Sequence, residues 1–369
     1  MKEKKKILWV NNAFGFGGAE RQMLYMYDIL KQYCDMDITI LYYAKMKDEL
    51  NLDGVKTIFV DKDKIGKVNT IREIHKYIKR EKFQLVHAFG GCTANIYGRF
   101  AAIFTGAVPV GALLGKASFR SRGIRIVNSF LNLFGNWWTV NNVDLIPVLT
   151  RNLTFLSMKK IRLLHNGFVP TECIDYHIAN KTEFDFDKGE NFVFCSVGRL
   201  HPVKNYGLYL RAAEKIMQKY DKVRFWIVGD GEEYEKLTAL SRELKIEDKV
   251  RFWGCRKDTD DILYRCDTFV QTSFTEGSPN TIAEAMRAGK PVVSTKSTDL
   301  SEMIEDDKNG YLVENDNVER LAEAMEKMLL KTEEERMAMG KYSQKLFEKT
   351  FLAENVAKEF ERFYDEVLQ

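Results

Sequence analysis

The sequence predicts an α/β protein of two domains, each built on a doubly wound parallel sheet. Apolar runs typical of buried strands alternate with amphipathic helical runs in both halves of the chain. Its 369 residues are too many for one ordinary core, but they suit two domains of roughly 150 to 180 residues. Residues 171–190 are polar and without periodicity, so they are expected to link the domains.

The first domain is expected over residues 1–170. It opens with a predicted strand from Lys6 to Asn11, a glycine-rich loop and an amphipathic helix from Ala19 to Tyr33. The loop is an incomplete dinucleotide fingerprint, since a third glycine and a ribose-binding acid are missing, and a nicotinamide or flavin enzyme is disfavoured. Weak strands at Asp144 to Val148 and Ile161 to Leu164 close this half. Between the opening helix and these two closing strands come predicted strands at 37–43, 56–60, 84–88 and 108–113 and predicted helices at 67–81 and 94–104.

Residues 115–142 interrupt the alternation. They carry basic residues first and then aromatic and aliphatic ones, and no Asp or Glu occurs from Lys82 to Val143. Cationic, aromatic segments bind anionic membrane interfaces. One interpretation is therefore a peripheral membrane contact through residues 116–138. The alternative is a helix packed on the core with its basic face in water.

Composition limits the class of protein. The net charge of +3 does not indicate a nucleic-acid partner, and six irregularly spaced cysteines indicate reduced thiols rather than a zinc site or a disulfide framework. The apolar run from Ile7 to Val10 is too short for a signal peptide. We therefore expect a cytoplasmic protein, placed at the inner face of the membrane if the basic segment contacts lipid.

The second domain is expected over residues 191–349, with a C-terminal helix at 350–369 that returns to the first domain or merely ends the chain. Two similarly wound halves in tandem predict a cleft between them. The predicted strands of this half are 192–197, 223–228, 250–253, 268–272, 291–294 and 310–313, and its predicted helices are 204–220, 232–244, 259–264 and a short one from about 279.

Two cations follow the first strand of the second half. Arg199 and Lys204 lie in GRLHPVKN, at the carboxyl end of a predicted parallel strand, where α/β folds bind ligands. Fixed cations there would stabilise the charge that develops on a departing diphosphate. The alternative is a pair of solvated loop cations. Gly229, after the next strand, would let backbone approach a ligand closely, although alone it indicates only a turn.

The segment TEGSPNTIAEAMRAGKPVV combines two carboxylates, Glu276 and Glu284, with a short predicted helix. Ser278 suits the N-cap, Pro279 the first turn and Gly289 the C-terminal stop. Backbone N–H groups at a helix start bind anions such as phosphate, and nearby carboxylates suit sugar hydroxyls. The segment therefore predicts a site for a phosphorylated sugar or a nucleotide.

These segments resemble the C-terminal half of the retaining GT-B glycosyltransferases of family 4, the glycosyl transferases group 1. The resemblance rests on SVGRLHPVKN, WIVGDGEEYEKL, VRFWGCRKDTDDILYRCDTFVQTS and TEGSPNTIAEAMRAGKPVV, which occur in that order from Asn191 to about Val313. GGAER, LVHAF and HNGF extend it weakly over the first half. It implies the GT-B fold, in which two Rossmann-like domains face each other across a cleft.

The resemblance also implies roles for individual residues. Arg199 and Lys204 would hold the donor diphosphate and form the catalytic set with Glu276, which would bind the transferred sugar. Glu284 would bind the ribose hydroxyls, and Arg256 would lie near the base. The remaining donor contacts are expected from Gly17 and Gly18 in the first half and from Gly229, Gly277, Ser278, Pro279 and Asn280 in the second.

The implied activity is transfer of a hexosyl or N-acetylhexosaminyl group from a nucleoside-diphosphate sugar, with UDP the expected nucleotide. The acceptor would be a hydroxyl of a glycan or lipid-linked glycan in cell-envelope polysaccharide biosynthesis. The resemblance implies that the anomeric configuration is retained, that the leaving phosphate takes the acceptor proton, and that neither a metal ion nor another cofactor is used. Two alternatives stay open: a GT-B protein that binds a nucleotide sugar without transferring it, and a GT-B-like sugar epimerase.

The acceptor side departs from the family pattern. Many members carry a His after the strand that reads VPVGALLGK here, and this chain has no His between His87 and His165. His87 ends an earlier predicted strand and is better explained as a hydrogen-bonded structural residue than as a catalytic one. No side chain is therefore assigned to the acceptor.

Overall fold

The computed structural model describes residues 4–15, 18–46, 50–89, 91–115, 119, 121–170 and 188–369. The chain divides into two compact units. Unit 1 comprises Met1–Phe168 and Phe351–Gln369, and unit 2 comprises Val169–Thr350. Each contains a parallel sheet with helices, so the predicted α/β class is confirmed. Residues 171–187 of the predicted linker lie outside the described residues.

Within its described residues, unit 1 builds a seven-stranded sheet in the order β3-β2-β1-β4-β5-β6-β7, with all neighbours parallel. The strands are β1 (Lys5–Asn11), β2 (Met36–Tyr42), β3 (Thr57–Phe59), β4 (Leu85–Ala88), β5 (Val108–Leu113), β6 (Trp137–Val140) and β7 (Ile161–Leu163). Its helices are α1 (Gly18–Tyr33), α2 (Lys62–Ile65), α3 (Lys67–Glu81), α4 (Gly91–Ala102), α5 (Arg122–Leu131), α6 (Leu145–Asn152) and, from the C-terminus, α13 (Ala353–Leu368). None of the helices in the described ranges has an apolar stretch of the length that a membrane span requires.

The C-terminal helix α13 packs into the core of unit 1. Phe360, Phe363 and Tyr364 are buried in the cluster that also contains Trp9. The Trp9 indole donates a hydrogen bond of 2.9 Å to the Tyr364 hydroxyl. Buried Trp and Tyr side chains need such partners for their polar atoms. The C-terminal helix is thereby tied to β1, an interior strand of the first sheet.

Two predictions for unit 1 need correction. Asp144 to Val148, predicted as a strand, forms the N-cap and first turn of α6, in which the buried Leu145 and Leu149 recur at helical spacing. The strand between β5 and β7 is instead β6, whose Trp138 is fully buried. Trp138, placed by the sequence in a membrane-contacting segment, is therefore a core residue.

Unit 2 builds a six-stranded parallel sheet within the described residues, in the order β10-β9-β8-β11-β12-β13. The strands are β8 (Phe192–Val197), β9 (Val223–Val228), β10 (Val250–Phe252), β11 (Thr268–Gln271), β12 (Val292–Thr295) and β13 (Gly310–Val313). The helices are α7 (Tyr206–Met217), α8 (Tyr234–Glu243), α9 (Thr259–Arg265), α10 (Asn280–Arg287), α11 (Val318–Leu330) and α12 (Glu333–Thr350). The interior strands β8, β9, β11 and β12 are buried along nearly their whole length, as expected for strands covered on both faces.

Candidate active site

The predicted donor-binding residues of unit 2 lie on loops that leave its sheet at one edge. Carboxyl ends of parallel strands meet at the same edge, which we call the carboxyl edge of unit 2. Arg199 and Lys204 follow β8, Gly229 follows β9, Arg256 follows β10 and Glu276 follows β11. Because β8 lies between β9 and β11, three of these loops are neighbours.

Lys204 and Glu276 form a close ion pair at this edge. The Lys204 Nζ lies 2.6 Å from the Glu276 Oε1. The side chains are only 23% and 14% exposed, so water screens the pair less than it screens a surface pair. The two residues are 72 positions apart, and the sequence predicted them in one site without predicting this contact.

Hydrogen bonds between two loops set the position of this pair. The Thr272 hydroxyl donates to the Lys204 carbonyl at 2.9 Å, and the Phe274 N–H donates to the Val203 carbonyl at 2.8 Å. The loop after β8 is therefore fastened to the loop after β11. Lys204 and Glu276 face each other as a consequence of main-chain contacts as well as charge.

Ser273, which the sequence analysis did not select, orients the carboxylate. Its buried hydroxyl donates a 2.6 Å hydrogen bond to the same Glu276 oxygen that Lys204 contacts. Its own carbonyl accepts a hydrogen bond of 2.8 Å from Thr295 at the end of β12. Its place in the sequence could have indicated this role, since Ser273 is a hydroxyl residue two positions after a buried strand and three positions before the carboxylate.

Gly229 is required by the backbone rather than by free space. Its φ is +138°, and a Cβ there would lie 2.0 Å from the Gly198 carbonyl oxygen. A non-glycine residue would clash with the loop that carries Arg199 and Lys204. The close approach seen is with this loop, and contact with a donor stays a prediction.

The two predicted arginines differ in their surroundings. Arg199 is exposed, and its side chain makes no hydrogen bond or ion pair with other described residues. Arg256 is held by Asp258, to which it donates two hydrogen bonds, one of 2.7 Å through Nε and a shorter one through Nη2. This bidentate pairing fixes the guanidinium plane. Asp258 was not anticipated as its partner.

The helix starts near Pro279 as predicted, but the predicted N-cap, Ser278, is wrong by one residue. Helix α10 begins at Asn280, and Pro279 occupies the N-cap with a ψ of 89°. Ser278 therefore lies outside the helix in the turn with Gly277. Glu284 lies half-buried in the second turn. Gly289, at φ +67°, follows the helix end as predicted.

The residues that the sequence analysis singled out in unit 1 add no side-chain group to the candidate site. Gly17 lies outside the described residues, and Gly18 is the exposed first residue of α1. His87 is fully buried, with its Nδ1 3.0 Å from the Tyr364 hydroxyl and its Nε2 2.9 Å from the Thr139 hydroxyl. Burial lowers the pKa of His87 to about 3. Its interpretation as a hydrogen-bonded structural residue is confirmed.

Two Rossmann-like units in tandem define the GT-B class, and solved structures support this assignment. Anabaena HepE in complex with UDP matches with a TM-score of 0.85 at 21% identity, covering 98% of this chain and 100% of that one. The apo form of the lipopolysaccharide outer core galactosyltransferase WaaB matches with a TM-score of 0.77 at 17% identity, covering 98% and 99%. The GT-B fold is confirmed.

The sequence comparisons concern the family. Residues 179–346, which include the carboxyl edge of unit 2, match the model for glycosyl transferases group 1. The chain is 26% identical over 348 residues to the Escherichia coli UDP-Gal:alpha-D-GlcNAc-diphosphoundecaprenol alpha-1,3-galactosyltransferase, covering 87% of each. It is 32% identical over 176 residues to a Campylobacter jejuni N-acetylgalactosamine-N,N'-diacetylbacillosaminyl-diphospho-undecaprenol 4-alpha-N-acetylgalactosaminyltransferase, covering 47% of this chain and 46% of that one. The relatives are named glycosyltransferases, and this chain is an enzyme of that class. Its likeness to the group 1 model extends over residues 179–346.

Proposed function

We propose that this enzyme transfers a hexosyl or N-acetylhexosaminyl group from a UDP-sugar to a hydroxyl of a lipid-linked glycan, with retention and without a metal ion. The observation that carries the proposal is the Lys204–Glu276 ion pair at the carboxyl edge of unit 2. It lies inside the segment that matches the glycosyltransferase model. The relatives that use diphosphoundecaprenol-linked acceptors support the choice of acceptor.

The pair suggests how donor binding prepares the site. A diphosphate carries several negative charges and competes with the single Glu276 carboxylate for the Lys204 ammonium. Exposed Arg199 supplies a second cation, and the two together stabilise the charge that develops on the leaving diphosphate. Glu276, still held by Ser273, is then released to accept hydrogen bonds from hydroxyls of the transferred sugar.

Retention requires the acceptor to attack from the face that the diphosphate leaves. In the proposed mechanism, a leaving phosphate oxygen takes the acceptor proton, so the enzyme needs no nucleophile. Glu284 would hold the ribose and Arg256, already oriented by Asp258, would lie near the base. Among the described residues, no three His, Cys, Asp or Glu side chains are grouped as metal ligands, and independence of a metal stays a proposal.

The test is a turnover assay with UDP-galactose, UDP-glucose, UDP-GlcNAc and UDP-GalNAc and an undecaprenyl-diphosphate-linked GlcNAc acceptor. UDP release, the mass of the product and its anomeric configuration by NMR are measured, with and without EDTA. Lys204→Ala should abolish transfer. The matched control is Lys222→Ala, because Lys222 pairs with Glu190 at the opposite edge of the same sheet and is exposed.

Each outcome separates the proposal from its rivals. Donor binding without turnover on any acceptor supports a nucleotide-sugar-binding protein, and release of an epimer or free sugar without acceptor supports an epimerase. A product of inverted configuration overturns retention. Loss of activity with EDTA, restored by a divalent cation, overturns metal independence.

A further inference from the structure

Helix α5 in unit 1 turns part of its apolar side outward, while Ile124 packs on the core and Leu131 is buried. The helix reads RGIRIVNSFL and is strongly amphipathic in sequence, yet its buried residues are Asn128 and Leu131. Ile126 is 60% exposed and Phe130 is 48% exposed. Amphipathic helices of soluble domains ordinarily bury the apolar face. Here a buried asparagine occupies the inner side in place of part of that face.

A buried arginine explains this orientation. Arg99 in α4 is 1% exposed, and its guanidinium donates hydrogen bonds to Asn128 at 3.3 Å, to Asn132 at 2.7 Å and to the Gly135 carbonyl at 2.7 Å. It lies 4.6 Å from the centre of the Trp138 ring. Burial lowers its pKa to about 9, so the group stays charged at neutral pH. A buried cation needs hydrogen-bond acceptors, and the polar side of α5 supplies them.

The outward residues of α5 join those of α4 into one surface. We call it the phenylalanine surface, and it consists of Phe100, Phe104, Ile126, Phe130, Leu133 and Phe134, all exposed. The rings of Phe104 and Phe130 each make an edge contact with Phe134, at 6.1 Å and 5.4 Å between centroids. With side chains of α3, four of the phenylalanines line an open depression of about 520 Å³. The four exposed phenylalanines are thus contiguous, and contiguous exposed apolar side chains mark an interaction site.

The backbone holds Phe104 in an unusual conformation. Its φ is +61°, a region that bulky side chains rarely adopt. The side chain is 87% exposed, so its own burial does not offset the strain. Strain of this kind is found at functional positions.

Cations border the phenylalanine surface. Arg72 and Lys76 of α3 line its depression, and Arg122 lies on α5 one turn before Ile126. Glu73 pairs with Lys76 at 2.7 Å and offsets part of this charge. The sequence from Lys82 to Val143 contains no acidic residue at all. The surface therefore presents apolar side chains within a positive field.

We propose that the phenylalanine surface docks this protein on an anionic phospholipid bilayer. Phe104, Phe130 and their neighbours would enter the acyl boundary while Arg72 and Arg122 contact headgroup phosphates. A second copy of the chain is a poorer occupant, because its cations would face those of the first. The sequence predicted contact through residues 116–138. The structure removes the buried Trp138 from this contact and adds Phe100 and Phe104, while Lys116 and Arg120 lie outside the described residues.

The experiment is vesicle co-sedimentation of the full chain with phosphatidylcholine vesicles and with vesicles containing about 30% phosphatidylglycerol. Phe104→Ser/Phe130→Ser should weaken binding to the anionic vesicles by roughly tenfold or more, because two partly inserted rings are lost. Arg72→Glu/Arg122→Glu should weaken it by about fivefold or more per position. Leu330→Ser is the matched control, because Leu330 is exposed in unit 2, and it should bind as wild type does.

Circular dichroism and the unfolding midpoint establish that each variant is folded, and sedimentation velocity reports self-association. The proposal is supported when wild type prefers anionic vesicles and both double variants lose that preference. It is overturned if wild type binds neither vesicle, or binds both equally. It is also overturned if the two serine substitutions leave vesicle binding unchanged, or if their main effect is to dissociate a dimer.

Discussion

Replacing Glu276 by Gln should tighten UDP binding and slow sugar transfer at the same time. Gln keeps an oxygen for Ser273 and Lys204 but carries no charge, so the Lys204 ammonium loses its competing anion. Charge-assisted hydrogen bonds are roughly twice as strong as neutral ones, and net values for charged pairs are about 1.5–3 kcal/mol. Because Lys204 is 23% exposed and Glu276 is 14% exposed, we take about half of this range. The gain is about 0.75 to 1.5 kcal/mol, or roughly 4- to 13-fold in the dissociation constant of UDP.

Transfer should respond in the opposite direction. In the proposed mechanism, Glu276 accepts hydrogen bonds from the sugar in the transition state, and losing its charge removes about 1.5–3 kcal/mol there. That corresponds to a decrease in kcat/KM of roughly 13- to 160-fold. An effect on binding and turnover in opposite directions is not expected from general damage to the fold.

The assay combines calorimetric titration of UDP with steady-state transfer. Glu190→Gln is the control, because Glu190 forms an exposed 2.8 Å pair with Lys222 at the other edge of the sheet. It should change neither quantity. Unchanged or weaker UDP binding by Glu276→Gln would refute the idea that the carboxylate and the diphosphate compete for Lys204. Weaker binding by Lys204→Ala is expected in either case.

Three further predictions concern other residues. Ser273→Ala should lower kcat/KM by about 5- to 13-fold while leaving UDP affinity within about twofold, because it removes only the hydrogen bond that orients Glu276; equal losses in both would contradict a positioning role. Gly229→Ala should lower the free energy of unfolding by about 2 to 4 kcal/mol in urea titrations, because its Cβ would lie 2.0 Å from a backbone oxygen, whereas Gly18→Ala, with open space at that position, should be nearly neutral. Burial lowers the pKa of His87 to about 3 from an ordinary value of 6.5. Between these two values, the His87 side chain is protonated in the unfolded chain and neutral in the native one. Between about pH 6.5 and 3, wild type should therefore lose up to about 1.4 kcal/mol of stability per pH unit more than His87→Gln, and parallel pH profiles would show that this histidine does not titrate in that window.

Local patterns account for the predictions that succeeded. Buried parallel strands appear as short apolar runs and helices as amphipathic ones, so β8, β9 and α7 could be placed from sequence spacing. The failures are also local in origin. Leu145 and Leu149 suit a helix, but a short apolar run does not distinguish a helix from a strand. At Pro279 the ambiguity between N-cap and first turn was settled by a single ψ angle.

Contacts between residues far apart in the chain could not be predicted from local sequence patterns. Arg199, Lys204 and Glu276 were assigned to one site through their resemblance to a family pattern. That Lys204 contacts Glu276, and that Ser273 holds the carboxylate, depends on β8 lying beside β11 in the sheet. Strand order is set by packing between distant segments, which no local periodicity encodes.

The sequence by itself determined the α/β class, the alternation of elements and the residue types available for holding a diphosphate and hydroxyls, because these follow from local composition and spacing. The tertiary structure alone decided which of those residues touch and which side of α5 meets solvent. The same amphipathic helix could have packed with either side inward. Arg99, buried 23 positions before α5 begins, required polar partners, and that requirement turned Ile126 and Phe130 outward.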